Sequence, residues 1–209
     1  VTPRVAIRAA DAIAQLAFTL GWPGDGELPV WVDGRPNPAH RLPCDAILQS
    51  GKRLARIAAN LDMEQSAEVA VGLPRMAEFV YSSAVLWANV ETKDSAWRAS
   101  QFRPQPDIVL KMGASARRLL LWVLKNPITA EATEDANRRI AYALHGLQKF
   151  AKPETLRINL PGTFLRVGRS QPVPVLVTRL AESSHTDRAI VGRLKSPPAP
   201  WSERMRGRA

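Results

Sequence analysis

VLWANVE, residues 85–91, is an apolar run that closes on two polar side chains two positions apart, Asn89 and Glu91. With Ala84 before it, the β-branched and aromatic content predicts a strand over 84–90. Residues i and i+2 of a strand point to the same face, so Asn89 and Glu91 can meet one ion or one phosphate group. Two carboxylates at that spacing would hold a divalent metal for phosphoryl transfer. An amide at position 89 makes the pair a weaker site for a hard cation. The plain alternative is a polar strand end that only faces water.

The pattern on either side is mixed helix and strand. Thr92 or Asp94 caps a short helix running into 97–102, and Pro104 and Pro106 then forbid helix and lead into a strand over 107–112. Gly113-Ala114-Ser115-Ala116 reads as a turn of small residues. The nearly continuous apolar run 117–124 (RRLLLWVL) reads as a buried central strand, closed by Pro127. Thr129 or Thr133 starts a helix expected over 130–147, with Ala136, Ile140, Leu144 and Leu147 on one side and His145 suited to the C-terminal end of the dipole. Two strands, 156–160 and 173–180, are expected around a Pro161-Gly162-Thr163 turn. Upstream, 68–73 (EVAVGL) and 29–33 read as short strands, and 3–20 and 45–61 as amphipathic helices.

The fold class is therefore α+β, with strands and helices mixed around one sheet. Residues 1–67 are expected to be the helical N-terminal third of one domain, 68–191 its core, and 192–209 a basic, Pro-rich, disordered tail.

Composition narrows the function classes. In 209 residues, 45% apolar and 23% charged side chains exclude wholesale disorder. The longest apolar run, Leu119 to Leu124, is far short of the ~20 residues that span a bilayer. No signal-peptide core is visible at the start, so a soluble, cytoplasmic protein with no membrane partner is expected. The single cysteine, Cys44, excludes an internal disulfide and a multi-cysteine zinc site, and the three histidines lack ligand spacing. There is no phosphate-binding P-loop, no G-x-G-x-x-G and no G-x-S-x-G.

Net charge is +10, and it is uneven: residues 1–100 carry 10 Lys/Arg against 11 Asp/Glu, and residues 101–209 carry 19 against 8. A basic half on a neutral one points to a polyanion partner. Near the Pro161-Gly162-Thr163 turn, Arg157, Arg166 and Arg169 can fork onto phosphates, while Gly162 lets backbone come close.

Taken in order, these segments resemble the catalytic domain of archaeo-eukaryotic primase-polymerases of the plasmid and phage type. The resemblance rests on Val69-Ala70-Val71-Gly72-Leu73, on Leu86-Trp87-Ala88-Asn89-Val90-Glu91, and on Pro106-Asp107-Ile108-Val109. It continues through Leu119 to Trp122, Asn126-Pro127-Ile128, the helix stretch ANRRIAYAL (136–144) and Leu160-Pro161-Gly162-Thr163. It covers residues 68 to 180 and implies a palm related to the RNA-recognition motif.

The departures fall where the resemblance puts the chemistry. The family's first metal carboxylate corresponds to Asn89, leaving Glu91. Its histidine falls within a residue of Leu119, and its last aspartate falls near Pro153 or Glu154. Its Ser/Gly-rich turn is represented by Gly113 and Ser115. The resemblance thus implies metal-position candidates Glu91, Asn89 and Glu154, with Mg or Mn as cofactor only if activity is retained. It makes Gly113, Ser115, Gly162 and Thr163 turn residues at the site. Phosphate contacts are expected from Arg117, Arg118, Arg157, Arg166 and Arg169.

The reading is a catalytically degenerate domain that binds nucleic acid, DNA rather than RNA, or a nucleoside triphosphate, in plasmid, phage or mobile-element replication. The alternatives are an active divergent primase or nucleotidyltransferase, and a non-catalytic scaffold that binds a helicase or other replication protein.

Overall fold

The structure, a computed structural model, describes residues 83–112, 116–161, 173–181 and 183–198 together with short strand segments outside them. In chain order the strands are β1 (Glu27–Leu28), β2 (Val30–Val32), β3 (Arg35–Pro36), β4 (Leu42–Pro43), β5 (Val69–Val71), β6 (Ser83–Val90), β7 (Ile108–Met112), β8 (Arg118–Ile128), β9 (Ile158–Asn159), β10 (Phe164–Leu165) and β11 (Val173–Leu180). The helices are α1 (Lys93–Gln101), α2 (Ala130–Ala143) and α3 (Asp187–Val191). A five-stranded antiparallel sheet has the order β10-β11-β7-β8-β6, and β3-β2-β5-β9 form a second antiparallel sheet. Among the described residues no helix is long and apolar enough to cross a membrane.

Strand alternation divides the five-stranded sheet into two apolar faces. Leu86, Ala88 and Val90 of β6 and Leu120, Trp122 and Leu124 of β8 pack with Ala99 and Phe102, with Ala136, Ile140 and Leu144 on α2, and with Ile190 of α3. The other face carries Trp87, Ile108, Leu110, Leu119 and Leu121, all buried. Both faces of the centre are therefore covered, which is why 117–124 reads as an unbroken apolar run rather than an alternating one. Trp122 anchors the helix side. It is fully buried, meets Phe102 edge-on at a centroid distance of 5.3 Å, and donates its indole N–H to the Pro104 carbonyl at 2.9 Å.

Local chemistry sets the helix ends. Thr92 caps α1 by accepting from the Ser95 N–H at 3.1 Å, while the Ser95 hydroxyl oxygen accepts from the Thr92 N–H at 3.0 Å. Thr129 caps α2. Asp94 ties the two helices together, 2.9 Å from Arg98 Nε and 3.0 Å from His145 Nδ1. The Arg98 guanidinium, and His145 after it, hold the Asp94 carboxyl below its ordinary value. Its stabilising contribution is therefore present above the ordinary aspartate pKa and disappears as pH falls through the lowered one.

Three expectations change. The helix expected over 130–147 ends at Ala143, because His145 adopts a left-handed φ of 52° and the Gly146 N–H turns back to the Ala141 carbonyl. Strand β8 passes Pro127 and ends at Ile128; its last residues are exposed, and the β6–β8 register shifts between Ser83 and Val85, where a missing N–H is tolerated. The strands expected over 156–160 and 173–180 are not partners. β9 pairs with β5 in the second sheet, whereas β11 pairs with β7 and β10. In the N-terminal third, strand β2 lies within the strand expected over 29–33, and the helices expected over 3–20 and 45–61 lie outside the described residues.

Trp122→Ala should lower unfolding stability by about 3–5 kcal/mol, read from the midpoint of a urea titration at unchanged slope. A shift of under ~1 kcal/mol would mean that the helix layer does not rest on this ring.

Candidate functional site

Among the described residues strand β6 is an edge strand, and its outer edge is met by a side chain and a turn. The Trp87 N–H donates to Asn137 Oδ1 at 2.9 Å, and Asn137 Nδ2 donates to the Ala151 carbonyl at 3.0 Å. Farther along, the Leu147 N–H donates to the Asn89 carbonyl at 3.0 Å. The Trp87 indole N–H reaches the Phe150 carbonyl at 2.7 Å. Asn137, 1% exposed, thus joins the ANRRIAYAL helix to the LWANVE strand. Gly146 is required beside it: a Cβ there would lie 2.6 Å from the Asn89 carbonyl oxygen.

Position 89 stands on the face turned away from the helices, directly opposite Leu119 of β8, which in turn faces Leu110 of β7. Asn89 is half-buried and Leu119 fully buried. One step beyond the strand end, Glu91 forms an ion pair with Arg117 at 3.2 Å. Here the structure brings together a residue expected to hold metal and one expected to hold phosphate, and each partly neutralises the other. Arg118, next in the chain, points to the opposite face, where it pairs across the strands with Lys111.

The remaining candidates lie apart. Glu154 is exposed on the 3-10 turn Pro153–Thr155. Arg157 donates to the carbonyls of Glu154 and Leu156, each at 2.7 Å, and its guanidinium lies over the Trp31 ring. Gly113, Ser115, Gly162, Thr163, Arg166 and Arg169 lie outside the described residues.

Among the described residues no three His, Cys, Asp or Glu side chains group as ligands. An amide, a leucine and a carboxylate already held by a guanidinium do not fit a pair of divalent ions, and no step through metal follows from them.

One polar cluster has no counterpart in the sequence reading. Asp107, fully buried just before β7, accepts from the Val123 N–H at 2.8 Å and from the Ser183 hydroxyl, and it lies 3.2 Å from His185 Nε2. Its partners come from distant parts of the chain, so no local pattern announces it. The His185 carbonyl accepts from the Lys125 N–H, and its N–H donates to the Val123 carbonyl. The cluster fastens the segment before α3 to β8.

Asn137→Ala should cost about 2–4 kcal/mol, because it strands the Trp87 N–H and the Ala151 carbonyl in a dry site. Thermal unfolding beside Asn137→Asp, which keeps the acceptor, would check it; equal melting of native and Ala chains would remove Asn137 from this role.

No protein-family model matches the chain, and no curated protein does. Solved structures do. The crystal structure of primase RepB' superposes with a TM-score of 0.63 at 17% identity, covering 89% of this chain and 62% of that one. The catalytic domain of primase RepB' in complex with initiator DNA gives 0.62 at 17%, covering 89% and 93%. The AEP domain of the cyanophage S-2L primase-polymerase gives 0.61 at 14%, covering 88% and 97%. The chain spans under two thirds of the longer RepB' chain. The order of strands and helices, and a likeness that covers nearly nine tenths of the chain, give this protein the fold of the plasmid and phage primase-polymerase domains.

Proposed function

We propose that this chain is a primase-polymerase-like domain of plasmid, phage or mobile-element replication that binds nucleic acid or nucleotide and no longer polymerises. The observation that carries the reading is the pairing of Asn89 with Leu119 on the face away from the helices, beside a Glu91 engaged by Arg117. On this scaffold a carboxylate and an imidazole would be needed to organise a triphosphate, and an amide and an alkyl side chain supply neither charge nor a proton acceptor. Binding to DNA is supported by the +10 charge and by a structural neighbour that is a primase catalytic domain in complex with initiator DNA.

Calorimetric titration with Mn²⁺ and a nucleoside triphosphate, with and without a short single-stranded template, tests this directly. The expected result is template binding with no metal-dependent uptake of triphosphate. Metal-dependent triphosphate binding that is abolished in Glu91→Ala would instead mean a working divergent polymerase. With about five phosphate contacts, template affinity should fall roughly 100-fold between ~50 and ~200 mM salt. A flat salt response would remove nucleic acid as the ligand. In Asn89→Asp combined with Arg117→Ala, two free carboxylates share one face, so Mn²⁺ affinity measured by calorimetry should rise above that of the native chain.

A further inference from the structure

A groove of about 360 Å³ opens on the helix side of the five-stranded sheet, between α1 and strands β7, β8 and β11. Its floor includes Val109, Leu120, Lys111 and Arg118, and Thr178 lines it from β11. Lys111 and Arg118 are directly opposite each other across β7 and β8, and both are half-buried. Like charges in that register repel. Four other described arginines have acidic partners: Arg98 with Asp94, Arg117 with Glu91, Arg138 with Glu134 and Arg139 with Asp135. Among the described residues neither Lys111 nor Arg118 has an acidic partner. Two half-buried like charges facing each other in a groove favour an anionic ligand there.

The rim adds a second kind of contact. Lys93, Trp97 and Ser100 follow one another at helical spacing along α1, and Ser100 lines the groove. Trp97 is 62% exposed, whereas Trp87 and Trp122 are buried. An exposed aromatic on the helix that borders a groove lined by cations suits single-stranded nucleic acid: cations follow the phosphates, and a base stacks on the ring.

We propose that this groove is a binding track for single-stranded nucleic acid, separate from the Asn89 face and on the opposite side of the sheet. Lys111 and Arg118 take the backbone phosphates, Lys93 extends the positive rim, and Trp97 stacks a base. Neither metal nor catalysis at the other face is required for it.

The test is binding of a fluorescent oligo-dT of about twenty nucleotides to the full chain at low salt. In Lys111→Gln/Arg118→Gln the affinity should fall about tenfold or more, and the slope of log affinity against log salt should shrink by about 1.4, as for two lost single-strand phosphate contacts. Trp97→Ala should weaken binding about tenfold. The charge-keeping swap Lys111→Arg/Arg118→Lys should bind as the native chain does, and matched melting curves would separate lost contacts from lost fold. An oligonucleotide carrying 5-iodouracil should crosslink at Trp97. Native affinity and salt slope in the Gln variant would overturn the proposal, as would crosslinks confined to other residues. Duplex bound as tightly as single strand, with Trp97→Ala neutral, would overturn it too.

Discussion

A strand at the edge of a sheet exposes backbone donors and acceptors that must be paired, and in this protein the edge strand is also the one that carries the candidate chemistry. Asn137 resolves that conflict. Its amide accepts from the Trp87 N–H and donates to the Ala151 carbonyl, joining the middle of α2, the edge of β6 and the turns that follow the helix. Once α2 is fixed on β6, its exit is fixed as well, and Gly146 and Leu147 arrive against the Asn89 carbonyl. The helix layer, the strand edge and the end of the candidate site then form one mechanical unit. The geometry of the site depends on this one side chain.

The sheet also sorts charge by parity. Arg117 and Arg118 are neighbours in sequence, but one is spent on Glu91 beside the Asn89 face and the other stands opposite Lys111 on the helix side. A basic stretch that looks like a single patch in sequence is in fact two separate electrostatic features on opposite sides of a sheet about one residue layer thick.

The legible parts of the fold were those whose pattern is local. β6 and β7 could be read to within a residue, and the start of α1 could be narrowed to Thr92 or Asp94, because apolar content and capping chemistry sit inside the element itself. The C-terminal end of α2 could not, since Leu144 and Leu147 continue the apolar period through His145, whose backbone reversal leaves no mark on side-chain spacing. The partner of β9 was equally hidden: two residues carry no periodicity, and its choice of β5 over β11 is a matter of long-range packing. In the candidate site, the shared facing of Asn89 and Glu91 follows from strand alternation alone. The Glu91–Arg117 pair also lies in the continuing register of β6 against β8, where opposition across strands, rather than motif spacing, is the informative signal. Asp107 was beyond reach for the reason β9 was, since Ser183 and His185 lie more than seventy residues along the chain.

Asn89 serves the fold through its carbonyl, which receives the Leu147 N–H. Among the described residues its side-chain amide makes no hydrogen bond. Every amino acid but proline brings the same main chain to that position, so the edge of β6 closes equally well around an amide, a carboxylate or a small apolar group. Chemistry at 89 is therefore interchangeable in a way that chemistry at 137 is not. The scaffold fixes the main chain at position 89 and leaves its side chain free to be chosen on other grounds.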